Sequence, residues 1–239
     1  MGPQIIQHPL TRADGSTAFS SELYTVLAGV NGPVEVQRRD ELPEEAAIEV
    51  NLRPASGVGG PRERWLENVL QSALKSILLV HMHPRTLIQV TLQITKEPAV
   101  KFQRTTSDIA MLPTLLNAAF SALVDGALPL ASTISTFLAV VAEDGTVVLS
   151  PQEEQIIGSK SIHAMAFDHH GAQILDESSG EFTTGIWGTV FETTKQACAA
   201  AISRTGDEAM SNADVEEVTW LRQKLEQEAR LADAWREST

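Results

Sequence analysis

The chain is poor in cysteine: Cys198 is the only one among 239 residues. No intrachain disulfide is possible, and a lone thiol fits a reducing compartment. Positive charge is also in short supply, with 18 Lys and Arg against 31 Asp and Glu and a formal net charge of −13. Autonomous nucleic-acid binders usually carry net positive charge, because phosphate contacts dominate their affinity. This chain is not basic on average, so any contact with RNA must come from a local cluster or from partner subunits. There is no apolar run of about 18 residues and no basic stretch leading into an apolar one near the N-terminus, which argues against a membrane span and a secretory signal. An internal repeat, a low-complexity linker and a basic targeting run are missing too. What remains, 43% hydrophobic and 21% charged residues, is the make-up of an ordinary globular protein. A chain of this length buries about 70% of its unfolded surface and needs no staple.

Hydrophobic patterning sets out an element order. Residues 1–12 read as an irregular segment with Pro3 and Pro9. Residues 15–36 predict a hairpin turning at Asn31-Gly32-Pro33, and 46–52 (AAIEVNL) a further strand. The loop SGVGGP (56–61) leads into the clearest helix, where Trp65, Leu66, Val69, Leu70, Ala73, Leu74, Ile77 and Leu78 recur with period 3.6. Pro61 and His83-Pro84 bound it. TLIQVTLQIT (86–95) alternates throughout, a strand signal. Residues 114–124 are apolar nearly all round and predict a buried helix ended by Asp125-Gly126. Strands at 133–141 and 146–149 flank a turn at Glu143-Asp144-Gly145, and another hairpin turns at His169-His170-Gly171. Helices are predicted at 186–203 and 213–237, the last capped by Asn212. The sum is an α+β fold with helices packed on a mixed sheet.

Several residue groups invite chemistry and most fall short of it. His81-Met82-His83 and His169-His170 have neither a second ligand pair nor a cysteine at zinc spacing, so exposed end residues are the better reading and no metal or cofactor is expected. Gly57-Val58-Gly59-Gly60 before a helix resembles a phosphate cradle but lacks the lysine and serine of a P-loop. Cys198 lies on an apolar helical face and reads as a small buried hydrophobe. Glu153-Glu154 diverge on any regular element and read as a solvated turn. Arg62 and Arg64 open the first helix beside the glycine loop, and Arg85 follows its end. They suit phosphate, and equally a surface network with Glu63 or Glu67.

Several short segments, in order, resemble the RNase PH superfamily of phosphorolytic 3′→5′ exoribonucleases. Ala13-Asp14-Gly15-Ser16 is similar to its ADGS motif. Val26-Leu27-Ala28-Gly29-Val30 with Gly32-Pro33-Val34-Glu35 resembles its VLAxVxGPxE strand. Arg62-Glu63-Arg64 matches its RER element, and His83-Pro84-Arg85-Thr86 with Ile88 its (Y/H)PR(S/T)xI step. Leu116-Asn117-Ala118-Ala119 through Leu123-Val124-Asp125-Gly126-Ala127-Leu128-Pro129-Leu130 is similar to its INAAxxALxDAGIPM helix. The resemblance covers about residues 12–204. It implies an RNase PH-like domain at 13–205, of the ribosomal protein S5 domain 2 type, between the segment 1–12 and an acidic C-terminal helix at 206–239.

The departures are as informative. Active members hold phosphate on a Gly-Gly-(Ser/Thr)-Arg run at the N-terminus of the second helix. Counting back from Asn117, those positions fall on Ile109, Ala110, Met111 and Leu112, after an apparent insertion at 96–107. Where active members carry a metal-binding aspartate after the hairpin, this chain has Ser150, which cannot replace a charged ligand. Within the superfamily, Asp14-Gly15-Ser16-Thr17-Ala18-Phe19 is most similar to a non-catalytic ring subunit of the eukaryotic RNA exosome. That resemblance implies a catalytically inactive member of a hetero-oligomeric ring. Its implied partners are related ring subunits, RNA-binding cap subunits, an associated 3′→5′ exoribonuclease and RNA in the channel, in the nucleus, nucleolus and cytoplasm. Arg62, Arg64 and Arg85, with Lys101 and Arg104 from the insertion, are the expected RNA contacts. An active phosphorolytic subunit, with Arg104 replacing the lost arginine, is the alternative.

Overall fold

The computed structural model describes residues 3–202, with residues 226, 227 and 230 also helical. In chain order the elements are β1 (Gln4–Gln7), β2 (Gly15–Ser20), β3 (Thr25–Glu35), β4 (Ala47–Arg53), α1 (Pro61–Ile77), β5 (Thr86–Lys96), α2 (Arg104–Asp125), β6 (Ile134–Ala142), β7 (Val147–Leu149), α3 (Glu153–Ile157), β8 (Ser159–Asp168), β9 (Gln173–Gly180) and α4 (Thr184–Ile202). A 3₁₀ turn, Val80–Met82, joins α1 to β5.

The strands form two sheets, ordered β1-β2-β3-β5-β4 and β7-β6-β8-β9. The first is mixed, because β4 runs parallel to β5 through the α1 crossover while the other pairs are antiparallel. The second is antiparallel throughout. Helices α1 and α2 fill the space between the sheets, and α4 covers the far face of the second. Each layer follows from its sequence period. Buried positions alternate along β5, so one face of the first sheet meets the helices. In α1 the buried stripe is Leu66, Leu70, Ala73, Leu74 and Ile77, at the spacings of one helical face. Pro61 starts the helix with a preset φ and no N–H to satisfy.

Helix α2 is the centrepiece. Every residue from Ile109 to Leu123 is buried, because β2 and β3 pack on one side of it and β6 and β8 on the other. Among the described helices it alone is long and apolar enough to cross a membrane by composition, and 83% of that stretch is covered by the fold. Asn117 pins it to the second sheet: its Nδ2 donates to the Thr136 carbonyl (2.9 Å) and its Oδ1 accepts from the Thr136 N–H (3.1 Å). At its C-terminal end Gly15 lies so close that a Cβ there would overlap the Ala122 carbonyl and the Gly126 backbone. Asp125 Oδ2 then accepts the Ser16 N–H (2.8 Å) and faces His8 Nδ1 (3.1 Å), fastening the start of the chain to α2.

Four sequence expectations need correction. Residues 1–12 are not all irregular, since β1 pairs with β2 as an edge strand. The turn of the first hairpin is at Ser21–Tyr24, closed by the Ser21 N–H on the Tyr24 carbonyl (2.9 Å). Asn31-Gly32-Pro33 instead lies inside β3 as a register shift, where Gly32 (φ +144°) donates its N–H to Asp14 Oδ2 (2.8 Å). A turn signal inside a strand becomes a bulge when tertiary pairing continues past it. Helix α2 starts ten residues earlier than expected (114 − 104), running on through Pro113. Trp65 is 40% exposed, off the buried stripe. The expected mixed sheet is present as the first of two sheets. The helix expected at 213–237 lies outside the described residues apart from 226, 227 and 230.

Candidate nucleic-acid interface

The N-terminal ends of α1 and α2 and the connection at 97–103 enclose a cleft of about 520 Å³. Three of the five expected RNA contacts line it: Arg62, Lys101 and Arg104. Their surroundings differ. The Arg62 Nε donates to Asp108 Oδ1 and its Nη2 to Ser107 Oγ (2.9 Å), with the Arg62 and Asp108 side chains 26% and 13% exposed. This guanidinium ties α1 to the first turns of α2 and is largely spent on that structural role. Lys101 and Arg104 are exposed, and neither is in an ion pair among the described residues. Tyr24 closes the cleft floor, buried, with its hydroxyl 3.3 Å from Ser107 Oγ. Burial raises its pKa above the ordinary value, and the Ser107 hydrogen bond works against the shift.

Arg64 and Arg85 stand apart from this cleft. Arg64 is exposed two positions along α1, a spacing that does not share a face with Arg62. Arg85 enters β5 with φ +61° and pairs with Glu41 (3.3 Å). Its end of β5 lies beside Ala47, whereas the chain leaves β4 for α1 at Arg53, so about 20 Å of strand separates Arg85 from the cleft. The glycine loop is no phosphate cradle: the Gly60 N–H donates to Glu63 Oε2 (2.7 Å), and that carboxylate occupies the end where an anion would sit.

The positions matched to the phosphate site come out differently from expectation. Ile109, Ala110, Met111 and Leu112 are at most 3% exposed. They do not open the second helix, which begins at Arg104; the backbone N–H groups there are consumed by the helix itself. Ala110 and Ser150, which the sequence resemblance matched to the phosphate and carboxylate positions, line one small cavity of about 80 Å³ between α2 and β6, with Phe19, Leu23, Asn117 and Phe137. Ser150 has φ +49° and donates its N–H to the Leu138 carbonyl (2.9 Å). Among the described residues the only charged one lining this cavity is Glu22. Among the described residues a phosphate would find no lining cation, which disfavours anion binding there. Among the described residues no three His, Cys, Asp or Glu side chains gather as a metal site.

The remaining expectations fall on structural residues. Cys198 is buried, donates Sγ–H to the Ser135 carbonyl (3.2 Å), and burial pushes its thiol up to about 12; it is inert. Glu153 accepts the Ala99 N–H (3.2 Å) and so steadies the connection that carries Lys101. The His169 and His170 rings meet at a tilt of 41° with centroids 3.8 Å apart in the β8–β9 turn. Sequence reasoning missed Asp108 as the partner of Arg62, 46 residues away, and His163, fully buried in β8. Neither has a local signal, since both depend on which faces meet in the fold.

Comparison with known proteins agrees with this geometry. The pattern described as the 3′ exoribonuclease family, domain 1 (RNase PH), matches residues 4–129. The exosome complex component RRP46 of Saccharomyces cerevisiae is 32% identical over 203 residues, spanning 81% of this chain and 89% of that protein. The exosome complex exonuclease RRP46 homolog of Oryza sativa is 34% identical over 161 residues, 67% of this chain and 63% of the relative. The crystal structure of rice Rrp46 superposes with a TM-score of 0.72 at 30% identity, covering 82% of this chain and 88% of the other. An Archaeoglobus fulgidus exosome with RNA bound to the active site shares the fold at 13% identity, with a TM-score of 0.64 over 81% of this chain and 84% of that one. On its sequence, its two-sheet RNase PH-like architecture and these relatives, the chain belongs to the RNase PH family of 3′ exoribonucleases.

Proposed function

We propose that the chain is a catalytically silent subunit of an RNA exosome ring, helping to form the channel that guides RNA to a separate 3′→5′ nuclease in rRNA processing and RNA decay. The relatives named as exosome components support the assembly. One observation carries the silence: among the described residues, the cavity shared by Ala110 and Ser150 has no cationic lining residue. A phosphorolytic enzyme must hold inorganic phosphate for attack on the terminal phosphodiester, and holding it takes positive charge or free N–H groups.

In this reading the neighbours are related ring subunits, with RNA-binding cap subunits and the nuclease beyond them, in nucleus, nucleolus and cytoplasm. Lys101 and Arg104 supply local positive charge on an otherwise acidic chain, enough to steer a phosphate backbone without binding it tightly. The test uses the purified assembly without its associated nuclease, incubated with RNA and inorganic phosphate. The expected outcome is no release of nucleoside diphosphates. Release that stops on Arg104→Ala overturns the proposal in favour of a phosphorolytic subunit.

A further inference from the structure

The cleft at the N-terminal ends of α1 and α2 holds more than the two cations that the proposed function uses. Its volume of about 520 Å³ lies in the range of small-molecule sites, well beyond what a passing phosphate needs. Apolar surface stands open in it. Val58, from the loop before α1, is 97% exposed, Val100, from the connection at 97–103, is 41% exposed, and half-buried Phe102 lines the cleft with them. A phosphate gains nothing from these side chains, whereas the flat face of a base does.

Among the described residues two carboxylates line the cleft, Glu63 and Glu97. Glu63 is spent on the Gly60 N–H. Glu97 is exposed, and among the described residues it accepts no hydrogen bond and joins no ion pair, although Lys101 and Arg104 line the same cleft. Its charge reaches the cleft floor: the Tyr24 pKa is raised first by burial, lowered by the Ser107 hydrogen bond and by Arg62, and raised again by Glu97. An unspent carboxylate beside two cations weakens their hold on a bare phosphate. It suits a ligand with a phosphate at one end and hydrogen-bond donors at the other.

Nucleotides are such ligands, and a carboxylate discriminates among them. When ionised it only accepts, through two oxygens, so it pairs best with two adjacent donors. Guanine offers them on its Watson–Crick edge, N1–H beside the N2 amino group. Adenine and cytosine set one amino donor beside a ring-nitrogen acceptor, and uracil flanks its one N–H with two carbonyls. We infer that the cleft holds one unpaired nucleotide of an RNA strand and selects guanine: Glu97 accepts from N1–H and the N2 amino group, while Lys101 and Arg104 hold the neighbouring phosphate. This rests on the reading that RNA meets the cleft, and adds to it a base preference and a specificity-determining residue.

The test titrates 5′-GMP, 5′-IMP, 5′-AMP and 5′-UMP onto the full chain and follows the backbone amide resonances of residues 97–104. GMP is expected to bind about tenfold more tightly than AMP or UMP. IMP, which keeps N1–H and lacks the amino group, is expected between them. Glu97→Gln, at an exposed position that spares the fold, is expected to bring GMP level with AMP. A carboxylate acting only as a repulsive charge predicts something else, a gain by one factor for all four nucleotides in that variant. That uniform gain overturns the inference, as does equal binding of the four by the unmodified chain, or binding of none. The RNA pentamer AAGAA, titrated beside AAAAA, separates a strand from a free nucleotide: a preference shown by GMP and absent from AAGAA overturns the assignment to RNA. Equal binding of the four that disappears in Lys101→Glu with Arg104→Glu removes the guanine preference alone and leaves the cleft on the RNA path.

Discussion

At the residue scale, the groups that look reactive are held in structural roles, and the clearest is His163. It is fully buried, with Nε2 2.9 Å from Ser161 Oγ and Nδ1 2.9 Å from Ser178 Oγ. Because Ser178 donates to Asp176 Oδ1 (2.9 Å), its oxygen accepts from His163, which places the ring proton on Nδ1 and leaves Nε2 to accept from Ser161. Burial lowers the His163 pKa, and the Asp176 charge opposes the shift. The sign follows from linkage. The unfolded histidine binds a proton near pH 6.5 while the folded one stays neutral, so its contribution is complete above about 6.5 and is lost as pH falls toward the depressed folded value. Denaturant midpoints at pH 7 and pH 5 are therefore expected to differ less in His163→Gln, which keeps hydrogen bonds but cannot titrate, than in the unmodified chain. Equal differences reject the assignment. Arg62 yields a second test: Arg62→Ala leaves Asp108 without its partner in a half-buried setting and is expected to destabilise the fold by about 1–3 kcal/mol, whereas Lys101→Ala, at an exposed site, is expected to be within about 0.5 kcal/mol of unmodified. Thermal unfolding of the two variants separates a tie from a free cation.

At the element scale, periodicity carried most of the fold. The stripe of α1 and the alternation of β5 were readable because one face of each is solvated and the pattern is therefore unambiguous. Helix α2 shows the limit. With apolar residues all round it has no face to read, and the helix runs on through Pro113 because both sheets grip it. The same ten residues put Ile109 to Leu112, the positions matched to the phosphate run, inside the helix rather than at its start, where they are core. Whether Gly32-Pro33 turned the chain or bulged it was likewise decided by β5 pairing on both sides of it. Asn117 tests the link between layers. Asn117→Ala orphans the buried Thr136 N–H and carbonyl together and is expected to cost about 2–4 kcal/mol, read as a lower denaturation midpoint. A change below about 0.5 kcal/mol shows that solvent replaces the amide.

At the scale of the whole molecule, charge and site have to be reconciled. A chain at −13 can meet RNA only where cations are concentrated and unpaired, and of five candidates the fold leaves Lys101 and Arg104 together at one cleft, unpaired among the described residues. In the assembled ring, Lys101→Glu with Arg104→Glu is expected to reduce the salt dependence of RNA binding by a slope of about 2, with assembly intact. Arg85→Glu, paired with Glu41 away from that cleft, is expected to leave the slope unchanged. Filter binding across a salt series reads both. An unchanged slope in the double variant removes this chain from the RNA path.

The placement of α2 between the two sheets also bears on how the protein is made. Everything that packs on its first side has been synthesised by residue 125, but everything that packs on its second side, β6 to β9, is still to come. While those strands emerge from the ribosome, a nascent half-molecule displays the uncovered flank of an almost wholly apolar helix, the kind of surface on which chaperones act and from which co-translational aggregation begins. Slowing translation between codons 126 and 180 is expected to raise the aggregated fraction of newly made chains, read by pelleting of pulse-labelled protein.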